Sequence, residues 1–175
     1  QWSSSAASDV YKRQYENRAD LVHKVISQNL DEHLSEVQAV FNLKKHPIEE
    51  LFLHNKLDLE KLNSIHPSSL YDLKKYYPRT WAKFDQITKK KGYDFISNNL
   101  KRGVELGVYR KEINVEILAK ILTEKFEIIF NQAVFSSPSI SFATIYQELM
   151  SHYIYGIVND CCCYDAFLFL PKKLN

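Results

Sequence analysis

The residues best suited to chemistry are three adjacent cysteines, Cys161 to Cys163, and six histidines scattered along the chain. Thiolate and imidazole groups can hold zinc or act as nucleophile and base, but these roles need particular spacings. Adjacent cysteines rarely pair with one another, no second cysteine cluster completes a zinc site, and the sequence contains no His-x-x-x-His or Glu-x-x-His pair. We therefore predict no metal site, no cofactor and no catalytic residue.

An enzyme would need a recognisable constellation of reactive groups, and the sequence offers none. It has no Gly-rich phosphate loop and no nucleophile elbow. Most Asp and Glu residues fall in predicted first turns or on polar helix faces, where solvation and helix-end electrostatics account for them. The nearest candidate for a titratable group on an apolar face is His152, beside Tyr153. We interpret it as a core or interface histidine and predict that the chain is not an enzyme.

Binding chemistry has better support, because aromatic residues make up 13% of the chain. A pocket between helices is mainly apolar, with a few polar groups that orient the ligand. Buried Tyr and Trp also bring polar atoms that need partners. The alternative interpretation of each candidate is an ordinary core residue. The candidate pocket residues are Phe52, Tyr76, Tyr77, Trp81, Phe84, Phe95, Phe126 and Phe130.

The bulk composition points to a helical domain that could position such a pocket. The chain has 175 residues, a one-domain length, and only four glycines and five prolines for tight turns. Its net charge of +2 is too small to indicate a class of partner. Its short lysine runs do not form the basic stripe that is typical of a nucleic-acid-binding domain. No apolar run is long enough to cross a bilayer, so we expect no membrane partner and a cytoplasmic protein.

Start and stop signals divide the chain into amphipathic helices. Apolar residues recur at three- and four-residue steps, as expected for helical faces. Proline suits a first turn, Asn and Ser suit N-caps, and glycine suits a C-terminal stop. The predicted signals are an Asn17 cap, a start at Pro47, a Ser68 or Ser69 cap, a start near Thr80, a Gly107 stop and an Asn114 cap. From Asn114 we predict one helix that runs to Phe135.

The last two predicted helices are apolar around most of their circumference. Such helices must be buried on several sides, either as central core helices or at a subunit interface. We predict a four-helix interface in which each subunit of a homodimer contributes both helices. Its candidate residues are Ile117, Ile121, Glu124, Ile128, Ile145, Leu149, His152 and Tyr153.

Both ends of the chain depart from this pattern. The stretch SSAASDVYKRQ, up to Gln14, resembles the translation of a transposase adapter used in sequencing libraries, so we predict that residues 1–14 are a disordered artefact. The alternative is a natural Ser/Ala-rich arm. After Asn159 the helical period fails, and residues 160–175 read either as a natural tail or as out-of-frame translation.

Several motifs resemble bacterial TetR/AcrR-type transcriptional regulators. YENRADLV resembles the junction that follows the helix-turn-helix in this family, where an aromatic residue, Asn and a basic residue precede an acidic-Leu pair. HPIEELF, LYDLKKYYPRTWAKFD, NLKRGVELGVYRKEIN and HYIYGIV resemble the effector domain of one TetR/AcrR subgroup, in order and spacing. The resemblance covers about Tyr15 to Val158. It departs from the family at both ends, because the helix-turn-helix and the final helical turns are lacking.

The resemblance implies an all-α, orthogonal or antiparallel helical bundle that binds a small molecule and dimerises. Residues 15–43 would be the end of the DNA-binding region and a connecting helix, and residues 44–159 the effector and dimerisation domain. Tyr15 and Arg18 would lie beside the phosphate backbone of operator DNA, which only the full-length protein would bind. We thus predict a ligand-responsive regulator, a repressor with an apolar or aromatic effector. The alternative is a stand-alone ligand-binding or protein-interaction module.

Overall fold

The computed structural model describes residues 15–131, 134 and 141–159. Within these ranges the secondary structure is helical, and the predicted all-α class is confirmed. The predictions for residues 1–14, for residues 160–175 with Cys161 to Cys163, and for most of 132–140 lie outside the described part. The helices are α1 (Arg18–Asn42), α2 (Pro47–Ser64), α3 (Pro67–Tyr76), α4 (Pro78–Glu105), α5 (Val115–Thr123), α6 (Lys125–Ile129) and α7 (Phe142–Ile157).

Four of the predicted helix ends are confirmed. The Asn17 side chain accepts a hydrogen bond from the Asp20 amide at 3.0 Å, which caps α1. Asn114 caps α5 in the same way. Pro47 opens α2. Gly107 follows α4 with a φ of +71°, in the left-handed region that glycine adopts without steric cost.

Three predicted boundaries were wrong. The cap of α3 is His66, whose ring accepts from the Ser68 amide at 3.3 Å, and not Ser68 or Ser69. Helix α4 begins at Pro78, before Thr80. In both cases proline occupies the first helical position, where its lack of an N–H costs nothing. The helix predicted from Asn114 to Phe135 is interrupted at Glu124, which separates α5 from α6.

Helix α4 is the centre of the bundle, and α1, α2, α3 and α5 all pack against it. Helix α7 packs on α2 and α6. Beyond α7, the Arg110 amide donates to the Ile157 carbonyl and the Asn159 amide donates to the Val108 carbonyl, both at 2.9 Å. This short extended pairing ties the end of α7 to the loop between α4 and α5.

A buried ion pair fixes the start of α2 on α4. Glu50 is 0% exposed, and the Arg102 guanidinium lies 2.9 Å from both of its carboxylate oxygens. Asn99 donates to Glu50 and to the Pro47 carbonyl, and the Tyr109 hydroxyl donates to Asn99. The Tyr109 ring lies so close to α4 that a Cβ on Gly103 would be 1.9 Å from it, so only glycine fits there. Glu50 lies in the first turn of α2, as predicted, but it is buried there and paired with Arg102.

Candidate ligand-binding site

A cavity of about 660 Å³ lies among the helices, and each of the seven described helices contributes to its wall. Its size falls within the range of roughly 300–1,000 Å³ that is usual for small-molecule sites. Helices α1, α2 and α3 contribute residues such as Leu30, Leu62 and Leu70 to its wall. The aromatic side chains in the wall are Tyr71, Trp81, Phe84, Phe126, Phe130 and Phe142, together with the His33 and His66 rings.

The aromatic wall forms two connected groups of rings. Trp81 and Phe84 lie 5.7 Å apart on α4. Phe126 and Phe130 stack at 5.7 Å, and Phe142 of α7 meets Phe130 edge-on at 4.9 Å. Ring pairs at these distances and angles stabilise one another beyond the area that they bury. The wall therefore offers several flat apolar surfaces to a ligand.

The structure brings together half of the predicted pocket residues. Trp81, Phe84, Phe126 and Phe130 line the cavity. Phe52 packs partly against the core, and Phe95 is buried under Phe41, with ring centroids 5.1 Å apart. Tyr76 is 61% exposed and Tyr77 is half-buried at the end of α3, and neither lines the cavity.

Asp58 lies at the floor of the cavity, although it is only 3% exposed. Its Oδ2 accepts from Lys125 Nζ at 2.8 Å and from the Tyr146 hydroxyl at 2.7 Å. Its Oδ1 lies 3.2 Å from Nε2 of His33 on α1. The carboxylate therefore joins α1, α2, α6 and α7 at one point, a set of contacts that the sequence analysis missed.

The ionisation of this floor cluster follows from burial and charge. Burial alone would raise the pKa of Asp58, but the Lys125 ammonium and the hydrogen bonds from Lys125 and His33 hold that pKa well below its usual range. Burial lowers the pKa of His54 to about 4; the Asp58 carboxylate opposes this shift, and Lys125 adds to it. Burial and the neighbouring Asp58 raise the pKa of Tyr146. Near neutral pH the cluster holds one carboxylate, one ammonium and a neutral His54.

The rim of the cavity carries paired charges. Lys74 of α3 lies 3.6 Å from a Glu127 oxygen on α6, and its ammonium sits 5.5 Å from the centre of the Trp81 ring. Lys89 lies 2.7 Å from Glu124 and 3.1 Å from Asp85. The hydrogen bond to Glu124 raises the pKa of Lys89. These pairs span α3, α4 and α6 around the cavity mouth.

The predicted interface residues fall into two groups. Ile117, Ile121 and Ile128 are 54%, 55% and 44% exposed, and Glu124 and His152 are also on the surface. Ile145 is buried in the chain's own core, and Leu149 and Tyr153 pack partly against that core. The exposed isoleucines follow one face of α5 and α6. His152 is exposed and does not belong to the core that the described residues form.

The two predicted DNA-backbone residues lie at the start of α1. Arg18 is exposed in the first turn. The Tyr15 ring is half-buried, and the Lys24 ammonium lies 5.3 Å from its centre. Tyr15 and Arg18 therefore lie at the N-terminal end of α1, before the first residue of that helix that lines the cavity, Ile26.

The chain has the fold of a known transcriptional regulator. The structure of the ketosteroid transcriptional regulator KstR2 of Mycobacterium tuberculosis superposes with a TM-score of 0.64 at 13% sequence identity, covering 87% of this chain and 79% of that one. At this identity the similarity is one of fold, and it agrees with the predicted all-α helical bundle.

No protein-family model matches the chain, and no curated protein matches it. None of the helices in the described ranges is both long and apolar enough to cross a membrane. Among the described residues, no three His, Cys, Asp or Glu side chains are grouped to hold a metal ion.

Proposed function

We propose that this chain is the effector-binding and dimerisation region of a ligand-responsive transcriptional regulator. The observation that carries the proposal is the aromatic-lined cavity of about 660 Å³ within a fold shared with such a regulator. A cavity that all seven described helices line can couple a ligand to the arrangement of the helices, provided the ligand binds one arrangement more tightly than another. In this proposal Tyr15 and Arg18 lie beside the phosphate backbone of operator DNA.

The lining favours an apolar effector with few polar groups. Rings from α4, α6 and α7 supply flat surfaces, and Ile26, Leu30 and Leu70 extend the apolar wall. The regulator that shares the fold is a ketosteroid transcriptional regulator, and ketosteroids are largely apolar ring compounds. We therefore propose an apolar or aromatic small molecule as the effector of this chain.

Filling the cavity is expected to weaken the binding of an apolar probe. The neutral dye N-phenyl-naphthylamine should bind the wild-type chain with a rise in fluorescence. Ile26→Trp should weaken this binding by about tenfold or more, because the larger ring occupies space that the probe needs. Fluorescence titration of both proteins measures the effect.

Val25→Trp is the matched control, since Val25 is the next residue of α1, is 45% exposed and does not line the cavity. It should leave dye binding unchanged. A wild-type chain that does not bind the dye, or equal weakening by both variants, would contradict the proposed ligand site.

We also propose that the exposed isoleucine face of α5 and α6 forms the homodimer interface, with the outer face of α7. Ile117 and Ile121 leave more than half of each side chain in water, and desolvating such a face on association is favourable. Sedimentation equilibrium at tens of micromolar should show a dimer, and Ile121→Asp should shift it to a monomer because a buried unpaired carboxylate is costly.

The control for this interface is Val25→Asp, which places the same charge at another exposed apolar position. It should remain dimeric. A monomeric wild-type chain, or dissociation by both substitutions, would refute the assignment of this face.

A further inference from the structure

Lys61 lies on α2 in the wall of the cavity, where it is half-buried. Its ammonium donates to the Asn29 side-chain oxygen at 3.0 Å. The Asn29 amide nitrogen donates to the Val25 carbonyl, so the oxygen is the group that faces Lys61. Asn29 is the only partner of Lys61 among the described residues, and an ammonium has three N–H donors. Two donors of Lys61 therefore remain for a ligand.

The other two lysines of the cavity wall already face carboxylates. Lys74 lies 3.6 Å from Glu127. Lys89 lies 2.7 to 3.8 Å from three carboxylates, of which Glu124 is the nearest. Helices α3, α4 and α6 thus place three carboxylates around two ammonium groups. In the described structure, that part of the wall leaves no lysine without a counter-charge.

No carboxylate of the described residues forms an ion pair with Lys61. Asp58 precedes it by one turn on α2, but Asp58 is 3% exposed and is neutralised by Lys125 at 2.8 Å. His33 and His66 also line the wall. A histidine ring is neutral or positive in any protonation state, so neither ring supplies a negative charge. Lys61 therefore carries a positive charge that the described part of the wall does not balance.

The surroundings of Lys61 favour an acidic ligand group at this point. Its partner Asn29 is exposed, so a carboxylate beside Lys61 would keep part of its hydration while it gained a counter-charge. A carboxylate at the floor would instead meet the buried Asp58. A neutral ligand that covered Lys61 would remove water from an ammonium whose one protein partner is an amide, which is unfavourable.

We infer that the effector is an aromatic carboxylic acid, bound as its carboxylate by Lys61 while its ring lies in the aromatic part of the cavity. The inference rests on the proposed ligand-binding function of the same cavity. The two parts of this site are neighbours, because Lys125 bonds to Asp58 one turn from Lys61 on α2. The next residue, Phe126, lines the cavity and stacks on Phe130, so both rings can hold the aromatic body.

Three probes of one shape separate the possible ligand charges: para-phenylbenzoate, its primary amide and para-phenylbenzylamine, which are anionic, neutral and cationic near neutral pH. Calorimetric titration of the wild-type chain should rank the benzoate about tenfold tighter than the amide, and the amine weakest. This factor lies between the values for an exposed ion pair and for a buried hydrogen bond to a charged group. The benzoate should also displace the naphthylamine dye, since both occupy the cavity.

Substitution of Lys61 tests the source of this preference. Lys61→Met removes the charge but keeps an unbranched side chain, so it should erase the preference for the benzoate and leave binding of the amide unchanged. Lys61→Arg keeps a positive charge and should retain part of the preference. Lys56→Met is the matched control, because Lys56 is also on α2, is exposed and does not line the cavity. It should leave all three affinities unchanged.

Equal binding of benzoate and amide, tighter binding of the amine, or an unchanged preference in Lys61→Met would refute a carboxylate effector while leaving the ligand cavity in place. Equal losses of benzoate binding in Lys61→Met and Lys56→Met would refute it too, because they would reflect net charge and not a contact. If the dye binds and none of the three probes does, the carboxylate effector is again refuted. Failure of the dye itself would remove the proposed function.

Discussion

Replacing Lys125 with Met is expected to lower the free energy of unfolding by about 3–5 kcal/mol, the range found when one member of a buried ion pair is removed. Lys125 is 4% exposed, and its ammonium lies 2.8 Å from Asp58 Oδ2. Methionine keeps a long unbranched side chain but leaves the Asp58 carboxylate buried without a counter-charge. A domain of this size is stable by only about 5–15 kcal/mol, so the variant should lie close to unfolding. Urea unfolding followed by circular dichroism measures the loss.

Two further variants of the chain isolate the electrostatic contribution to this loss of stability. Lys120→Met removes an exposed lysine that pairs with Glu116 one turn away on the surface, and it should change the stability little. Lys125→Met combined with Asp58→Asn removes both charges, and it should be more stable than Lys125→Met alone. Equal losses in Lys120→Met and Lys125→Met would show that Lys125 does not neutralise a buried charge.

Acidification is expected to destabilise the fold well before the surface carboxylates titrate, because His54 is buried in its neutral form. The pKa of His54 is about 4 in the folded chain, against 6.5 in an unfolded one. As the pH falls below about 6.5, His54 becomes protonated in the unfolded chain but stays neutral in the folded chain. The free energy of unfolding therefore decreases until the pH reaches about 4. A shift of this size corresponds to about 3 kcal/mol. The depressed pKa of Asp58 has the same sign and adds its loss below about pH 4.

Urea unfolding at several pH values between about 7 and 4 tests this dependence. His54→Gln, which cannot take up the proton, should flatten the curve over that range. His23→Gln is the control, because His23 lies on α1 outside the cluster around Asp58, and it should keep the wild-type slope. A His54→Gln curve parallel to that of the wild type would show that another group carries the pH dependence.

The helices were predictable because their signals are local. Asn17, Asn114 and Gly107 act through their own backbone neighbourhood, and the structure uses all three as expected. The errors at Pro67 and Pro78 have a local cause too. Proline was used as a predicted helix start only at Pro47, whereas Pro67 and Pro78 begin helices as well.

The floor of the cavity could not be predicted from charge alone, because a lone Asp or Lys in a helix is most often solvated. Its contacts join residues far apart in the chain, such as Asp58 and Lys125. A signal nevertheless existed. Asp58 lies at helical spacing between the buried Leu51 and Leu62, and Lys125 lies one turn from both Leu122 and Ile129. A charged residue in the middle of an apolar face indicates a buried partner elsewhere.

Only half of the predicted pocket residues line the cavity, for a related reason. Aromatic residues identify where large side chains gather, but only packing decides which of them face an empty space. Phe95 and Phe126 have the same chemical character in the sequence, yet Phe95 stacks on Phe41 in the core and Phe126 faces the cavity. Which neighbour covers a given ring depends on tertiary packing, which the local sequence does not specify.

The length of α1 gives it mechanical leverage. Its 25 residues extend about 37 Å at about 1.5 Å per residue, and His33 lies past its middle, in the cavity wall. A tilt of only about 5° about the distal end would carry Arg18 through about 3 Å, close to the rise of one DNA base pair. The same tilt moves His33, which lies about 14 Å from the distal end, by about 1 Å. A ligand-induced displacement of the His33 ring would thus be enlarged nearly threefold at Arg18, with no refolding of any helix.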